Sequence, residues 1–397
     1  MAALSTTTPA RRALGISAIA GALGLVVAII AMVVAPGRAL LAYLNAYATF
    51  AGIAIGALVV LLVGYATNAR WFAPLRRLQE ALCLVFPVLA VLFLPIALGV
   101  HHLYVWADPP ADLSEPMREV LHAKQAWLNP AGFIVRGFLY LAVFIVAAEV
   151  LRRRSLRRSR EETSHVSTGA EAELAIRRER VFAAAMLPPV ALATTFASID
   201  WLMSLQPVWI STMFPVYFFA SGFSAALALL AIAAGWLRTP LALTPHHFHA
   251  LGRMVFAFVV FWAYTAYFQG FLIRIADRPS EVAFFIGRTR DGWEIALIAV
   301  ALLRFALPFA LLMPRAPKFR PRYVAAVAWL VLVGHVVEMM WLVLPSAGAA
   351  PSLLDLAAFA GVGGACIAFA IWRLRRAPLV ADGDPFLAAG LRYESNT

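Results

Sequence analysis

The sequence predicts an all-α integral membrane protein with about ten transmembrane helices. Two features carry the prediction. Hydrophobic residues fill 62% of the 397 positions and charged residues only 14%, a balance that would leave a soluble globule short of polar surface. The apolar residues also fall into runs of about 20, the length that crosses a hydrocarbon core, and most of the charges gather between the runs. Lipid offers no partner to a free backbone amide, so each run must be helical, even where Val and Ile would suggest strands in water.

In chain order the runs cover residues 14–34, 42–66, 81–99, 130–151, 181–205, 212–237, 249–275, 293–312, 323–344 and 353–372. The first is too long for the core of a cleaved signal peptide and is expected to stay as a span. This divides the chain into an N-terminal segment (1–13), a transmembrane domain (14–372) with a basic connection at 152–180, and a tail (373–397). Lys and Arg are unevenly shared. Of 33, 23 lie in the connections on the side of the two termini and 7 on the other, counting Arg274 with the connection it borders. By the positive-inside rule both termini of this multi-pass protein are cytoplasmic.

The net charge of +12 would suggest nucleic acid in a soluble chain. Here the cations sit beside spans, so membrane lipid is the expected partner and nucleic acid is not. The run RRRSLRRSR opening the 152–180 connection reads as a solvated, partly disordered loop against anionic lipid. On the other side, residues 101–129 carry Trp106, Pro109, Pro110 and four acids, a surface suited to docking a periplasmic partner. Cys83 and Cys366 fall in separate spans without metal or disulfide spacing.

Polar groups inside apolar helices are the candidate functional residues, because an ionised side chain in hydrocarbon is costly without a partner. Asp200 lies toward the end of the fifth run, with Ser204 one turn on and able to share its face. It is either a carboxylate capped by hydroxyls or paired with an arginine, or a proton-exchanging group. His335 and Glu338 stack three residues apart in the ninth run and suggest a proton relay, quinol contact or a structural pair. They lack the further ligands of a metal site. Arg136 and Arg304 are permanent cations below the interface and need carboxylates from among Asp200, Glu294 and Glu338. Glu149 and Arg253 lie near enough to helix ends to reach water. His246, His247 and His249 precede the seventh run and could collect protons or bind metal at its mouth, although Thr244 as cap and Pro245 in the first turn explain part of that segment. The aromatic run from Phe256 to Phe268 reads as packing, with Gln269 the polar side chain beside it.

Three stretches together resemble one family. KQAWLNPAGFIVRGFLYL (124–141), FASIDWLMSLQPVWISTMFPVYFFASGF (196–223) and HFHALGRMVFAFVVFWAYTAYFQ (247–269) are similar to the smaller, ActF-like membrane subunit of bacterial alternative complex III, a quinol:cytochrome c oxidoreductase, and so is the tail segment APLVADGDPFL (377–387). The resemblance implies NrfD/polysulfide-reductase-like helical bundles and a place beside a larger NrfD-like quinol-binding subunit, an iron–sulfur subunit and multihaem cytochrome c subunits. It implies a supporting, non-catalytic role with proton conduction, and the bacterial inner membrane as the location. Haem c and iron–sulfur clusters would belong to the partners and no cofactor to this chain, with quinol or quinone the small molecule that could reach it. The chain departs from the family pattern: Gln206 stands where members usually carry glutamate, Val208 for histidine, Ala250 for aspartate and Arg253 for lysine. If the family's proton route uses those positions, this chain either lacks it or runs it through Asp200, His335 and Glu338; the wider set of proton-handling candidates is Asp200, Ser204, His335, Glu338, His249, Arg304 and Arg136. Two other readings remain at this stage: a quinol-binding anchor of a polysulfide-reductase-type complex, and a secondary transporter, which lacks support from any duplicated pair of Gly-interrupted helices.

Overall fold

The computed structural model describes residues 8–164 and 169–395. The expectations for residues 1–7, 165–168 and 396–397 lie outside the described residues. All regular structure among the described residues is helical. Ten helical segments are long and apolar enough to cross a membrane: Ala10–Val34, Pro36–Ala66, Arg70–Leu98, Pro130–Arg160, Glu173–Leu205, Phe214–Trp236, Pro245–Ala276, Trp293–Leu312, Pro321–Ala347 and Leu353–Arg375. They are called spans 1 to 10. The chain is a multi-pass membrane protein. An even number of crossings puts the start of span 1 and the end of span 10 on one face, called the basic face below.

Spans 2 and 6 form the centre of the bundle, with 83% and 78% of their most apolar windows buried, whereas span 1 is only 17% buried and span 8 only 22%. The centre is built for close approach. Span 2 carries Ala, Gly and Leu along its inner faces, and span 6 crosses it where Gly222 meets Gly52 and Gly56. A Cβ on Gly222 would lie 2.3 Å from the Gly52 carbonyl oxygen. Without side chains at this crossing the two backbones nearly touch. Span 1 packs mainly on span 10 at the rim. Its outward residues, including Ile16, Val33 and Val34, are exposed apolar surface of the kind that lipid covers.

Two segments differ from the sequence-based expectation, and a third, the tail, takes a fold the sequence did not assign. Residues 70–80 were expected in a connection but begin span 3 as a buried helical turn, with Arg76, Arg77, Gln79 and Glu80 all buried. The described residues of the basic connection are helical: the helix of span 4 runs on to Ser164 and that of span 5 starts at Gly169. The tail folds back onto the basic face, where Leu379, Val380 and Ala381 are buried.

On the opposite face, Trp106 turns inward and stacks on Tyr104 with ring centroids 5.1 Å apart. It therefore offers no docking surface, although Asp108, Asp112, Glu115 and Glu119 stay exposed. Tyr104 donates to the Trp201 carbonyl at 3.0 Å, and burial raises its phenol pKa well above the ordinary value.

Candidate functional site

Five charged or titratable residues that the sequence places in apolar helices resolve into two separate centres. The larger lies between spans 2, 6, 7, 8 and 9. Glu338 and His335 share a face of span 9 because they are three residues apart, and both are fully buried. Span 8 supplies Arg304 from a turn of π-helix over Leu302–Ala306. Pro308 has no N–H to return to the Arg304 carbonyl, so the widened turn falls where an ordinary helical bond is already missing. Space for the arginine comes from Gly334: a Cβ there would lie 2.9 Å from both Arg304 Cγ and Leu303 Cβ.

Arg304 Nε lies 3.0 Å from Glu338 Oε2 in an ion pair whose partners are 1% and 0% exposed. Trp262 Nε1 of span 7 donates to Glu338 Oε1 at 2.8 Å, and the Arg304 guanidinium lies over the Trp262 ring at 4.9 Å. Arg304 Nη2 also donates to the Ser221 carbonyl at 3.1 Å and to Ser221 Oγ at 3.0 Å. The permanent cation thus has its carboxylate, and the pairing left open by the sequence is Arg304 with Glu338.

Ser221 of span 6 is the hinge of the centre. Its Oγ is 2.7 Å from Glu338 Oε2 and 2.8 Å from His335 Nδ1, while His335 Nε2 is 3.4 Å from the Thr49 carbonyl of span 2. Hydrogen accounting gives this geometry its chemical content. The chain Glu338–Ser221–His335–Thr49 has three contacts. An ionised Glu338 with a neutral imidazole supplies only two hydrogens, one on the hydroxyl and one on the ring. One added proton completes all three contacts, and it can rest on His335, with the hydroxyl donating to Glu338, or on Glu338, with the hydroxyl donating to His335. The two arrangements interconvert by shifting hydrogens along the chain without moving a heavy atom.

The second centre lies where spans 4 and 5 approach the face opposite the basic one. Asp200 is fully buried. Its Oδ2 accepts from Arg136 Nε and from the Tyr140 hydroxyl, each at 2.8 Å, and its Oδ1 accepts from Trp127 Nε1 at 2.8 Å and Arg136 Nη2 at 3.2 Å. Arg136 is 17% exposed and lies 4.1 Å over the Trp127 ring. Both carboxylate oxygens are saturated by donors, so the arrangement is the arginine-paired one. Ser204 contributes differently from the sequence-based expectation: its hydroxyl donates to the Asp200 backbone carbonyl, a bond within the helix, and not to the carboxylate.

His249 is also placed away from both centres. Its Nδ1 lies 2.7 Å from Ser395 Oγ, its ring stacks on Phe319 at 4.3 Å, and His246 Nδ1 accepts from the Ser395 amide at 3.1 Å. His247 accepts from the Thr244 amide at 3.1 Å and contacts the Gly390 carbonyl at 3.0 Å. The three histidines therefore cap span 7 and hold the tail. Thr244 and Pro245 begin that helix as the sequence indicates. Among the described residues, no group of three or more His, Cys, Asp or Glu could hold a metal.

Two groups of charged residues have no counterpart in the sequence-based expectation. On the basic face Glu80 Oε2 accepts from Arg77 and Arg152, each at 3.0 Å. Arg77 goes on to Ser155 and Ser159, and Arg76 pairs with Asp384 of the tail. Opposite, Arg288 donates to Gln206 Oε1 at 3.0 Å, the Leu342 carbonyl at 2.7 Å and Ser346 Oγ at 2.7 Å. Burial among neutral acceptors pulls its pKa down to about 9, still protonated at neutral pH. Nothing local in the sequence separates these arginines from loop cations: Arg77 has Glu80 three residues on, as a solvated helix pair would, and the other side-chain partners are remote in the chain.

The chain matches no protein-family model and no curated protein.

Proposed function

We propose that this chain is an integral membrane subunit of a quinol:cytochrome c oxidoreductase of the alternative complex III type, placed in the bacterial inner membrane with its basic face in the cytoplasm. In this reading it supports the assembly and exchanges a proton at the Glu338–Ser221–His335 centre. A larger NrfD-like subunit oxidises quinol, and iron–sulfur and multihaem cytochrome c subunits carry the electrons. The reading rests on the three resembling stretches and on one geometric observation: three buried contacts that two hydrogens cannot fill and one added proton can.

Arg304 has a defined part in such chemistry. A fixed cation 3.0 Å from the carboxylate favours ionised Glu338, so the added proton rests more on the imidazole, and a negative charge arriving beside the carboxylate shifts it toward the acid. Asn45 is fully buried one helical turn from Thr49, and its side-chain amide has no hydrogen-bond partner in the protein. Such a group suits a bound water on a path to His335.

The test is Glu338→Gln in the native membrane. The amide keeps the shape and the Trp262 bond but cannot exchange a proton. Quinol-driven cytochrome c reduction, or the proton release coupled to it, should fall about tenfold or more, in the range of a lost acid–base group, while haem-bearing subunits still copurify. Unchanged turnover and unchanged proton release would show the centre to be a structural clasp. Purification of the chain from native membranes without haem or iron–sulfur subunits would remove the assembly itself.

A further inference from the structure

We propose that a groove between the basic-face ends of spans 4 and 5 binds one anionic phospholipid, with its phosphodiester among Arg154, Arg177 and Arg178 and an acyl chain along Val181, Phe182 and Ala185. The groove encloses about 500 Å³ and is lined by these six residues and Leu174. Three of the seven lining residues are guanidinium cations and none is acidic. Glu179, next to Arg178 in sequence, turns inward onto Arg158 at 2.8 Å and is 5% exposed.

The lining is sorted by depth. Arg177 and Ala185 are eight residues apart, about 12 Å along a helix, which is enough to run from the headgroup layer into the hydrocarbon. The apolar part begins at Val181, where the long hydrophobic run of span 5 starts. Val181 is 57% exposed, so the groove opens sideways to lipid. Arg154 is already oriented for the purpose. Its guanidinium lies over the Phe182 ring at 4.7 Å and donates to the Arg178 carbonyl at 3.3 Å, which bridges the two helices and fixes one wall. A free phosphate would use the cations and leave the apolar wall in contact with nothing. A zwitterionic lipid would use the wall but bring its own cation against three others. An anionic diacyl lipid satisfies both parts, and the inference stands whether or not the chain moves protons.

The full chain, stripped of lipid by detergent exchange, is titrated with phosphatidylglycerol or phosphatidylcholine while native mass spectrometry counts bound lipid. Phosphatidylglycerol should bind at least tenfold more tightly, since each interfacial cation contributes about fivefold, and inorganic phosphate should not displace it. Arg154→Gln/Arg177→Gln/Arg178→Gln should lose the selectivity, and Arg153→Gln/Arg180→Gln, altered at exposed cations outside the groove, should keep it. Equal binding of the two lipids, equal loss in both variants, or displacement by phosphate would each overturn the proposal. If the triple variant does not fold, a photoreactive phosphatidylglycerol on the unaltered chain decides. Labelling within residues 174–185 supports the site, and labelling only elsewhere refutes it.

Discussion

Asp200 and Glu338 are both carboxylates buried to zero exposure, each held by one arginine and one tryptophan, yet they are built for different ends. Asp200 receives four donors from Trp127, Arg136 and Tyr140, every one with a hydrogen to give, and its arginine reaches solvent. Glu338 also has a tyrosine beside it, Tyr217, but it is held by an arginine that reaches nothing outside, and it shares a hydroxyl with an imidazole. Where donors match acceptors, a buried ion pair joins helices. Where hydrogens fall one short, the same ingredients leave room for one more proton, and the proposed exchange at Glu338 rests on that difference. Burial and an arginine partner do not by themselves separate the two acids of this bundle.

The strongest way to break the comparison is to remove each arginine. Arg304→Leu leaves Glu338 charged, buried and without a counter-ion, a loss of about 3–5 kcal/mol, enough to prevent a folded product. Arg304→Leu/Glu338→Leu should recover most of that. The two free cysteines, Cys83 and Cys366, are both buried, so a thiol-reactive dye reports unfolding directly in detergent. A stable single variant would show that the ion pair is not needed to hold the centre.

Gly334→Ala probes the same centre through shape alone. The added methyl meets the stem of Arg304 and the Cβ of Leu303 at 2.9 Å, and this overpacking should cost about 1–3 kcal/mol. Because Arg304 must shift, the variant should also slow turnover, which a purely packing change elsewhere in span 9 would not do. Normal stability with normal turnover would mean that the π-turn of span 8 absorbs the methyl.

Asp200→Asn should show the other half of the contrast. It removes the charge from a saturated clasp and frees Arg136, which is partly hydrated already, so the loss is about 1–3 kcal/mol, read by the same dye. Proton release coupled to quinol oxidation should stay normal. A loss of coupling with unchanged stability would place Asp200 with Glu338 and erase the distinction drawn from hydrogen counting.

How much of this was legible in the sequence follows from the range of each force. All ten spans could be read from length and hydrophobicity, because hydrocarbon imposes helix on any long apolar run regardless of tertiary partners. The shared face of His335 and Glu338 was legible from helical spacing. The arginine partners were not, since Arg304 and Arg136 reach across 34 and 64 positions, and only packing decides which carboxylate each meets. Arg76, Arg77 and Arg152 were hidden for a related reason. A cation beside a span has the same local signature whether it faces water or a buried glutamate such as Glu80. Ser221 carried no signal at all, being one hydroxyl in an Ala- and Phe-rich helix whose close approach to span 2 depends on glycines meeting across the bundle.

The histidines before span 7 show the smallest expected effect, in a segment the sequence leaves open between proton or metal chemistry and a plain helix entry. HHFH suggested metal or proton collection, but each ring has a partner in the chain: Ser395 for His246 and His249, Gly390 for His247. Together with Arg76 on Asp384, they hold the tail against the basic face. Ser395→Ala deletes the hydroxyl that meets His249 and leaves the backbone bond to His246, so the loss is about 0.5–1.5 kcal/mol, too small to unfold the chain. It should instead loosen the last residues. Arg392 is exposed and lies just before the buried Ser395, so trypsin should cut after it several-fold faster in the variant, with spans 1 to 10 protected as before. Equal cutting rates would mean that His246, Asp384 and the buried Leu379–Ala381 segment hold the tail without help from His249, leaving that imidazole available for other chemistry at the basic face.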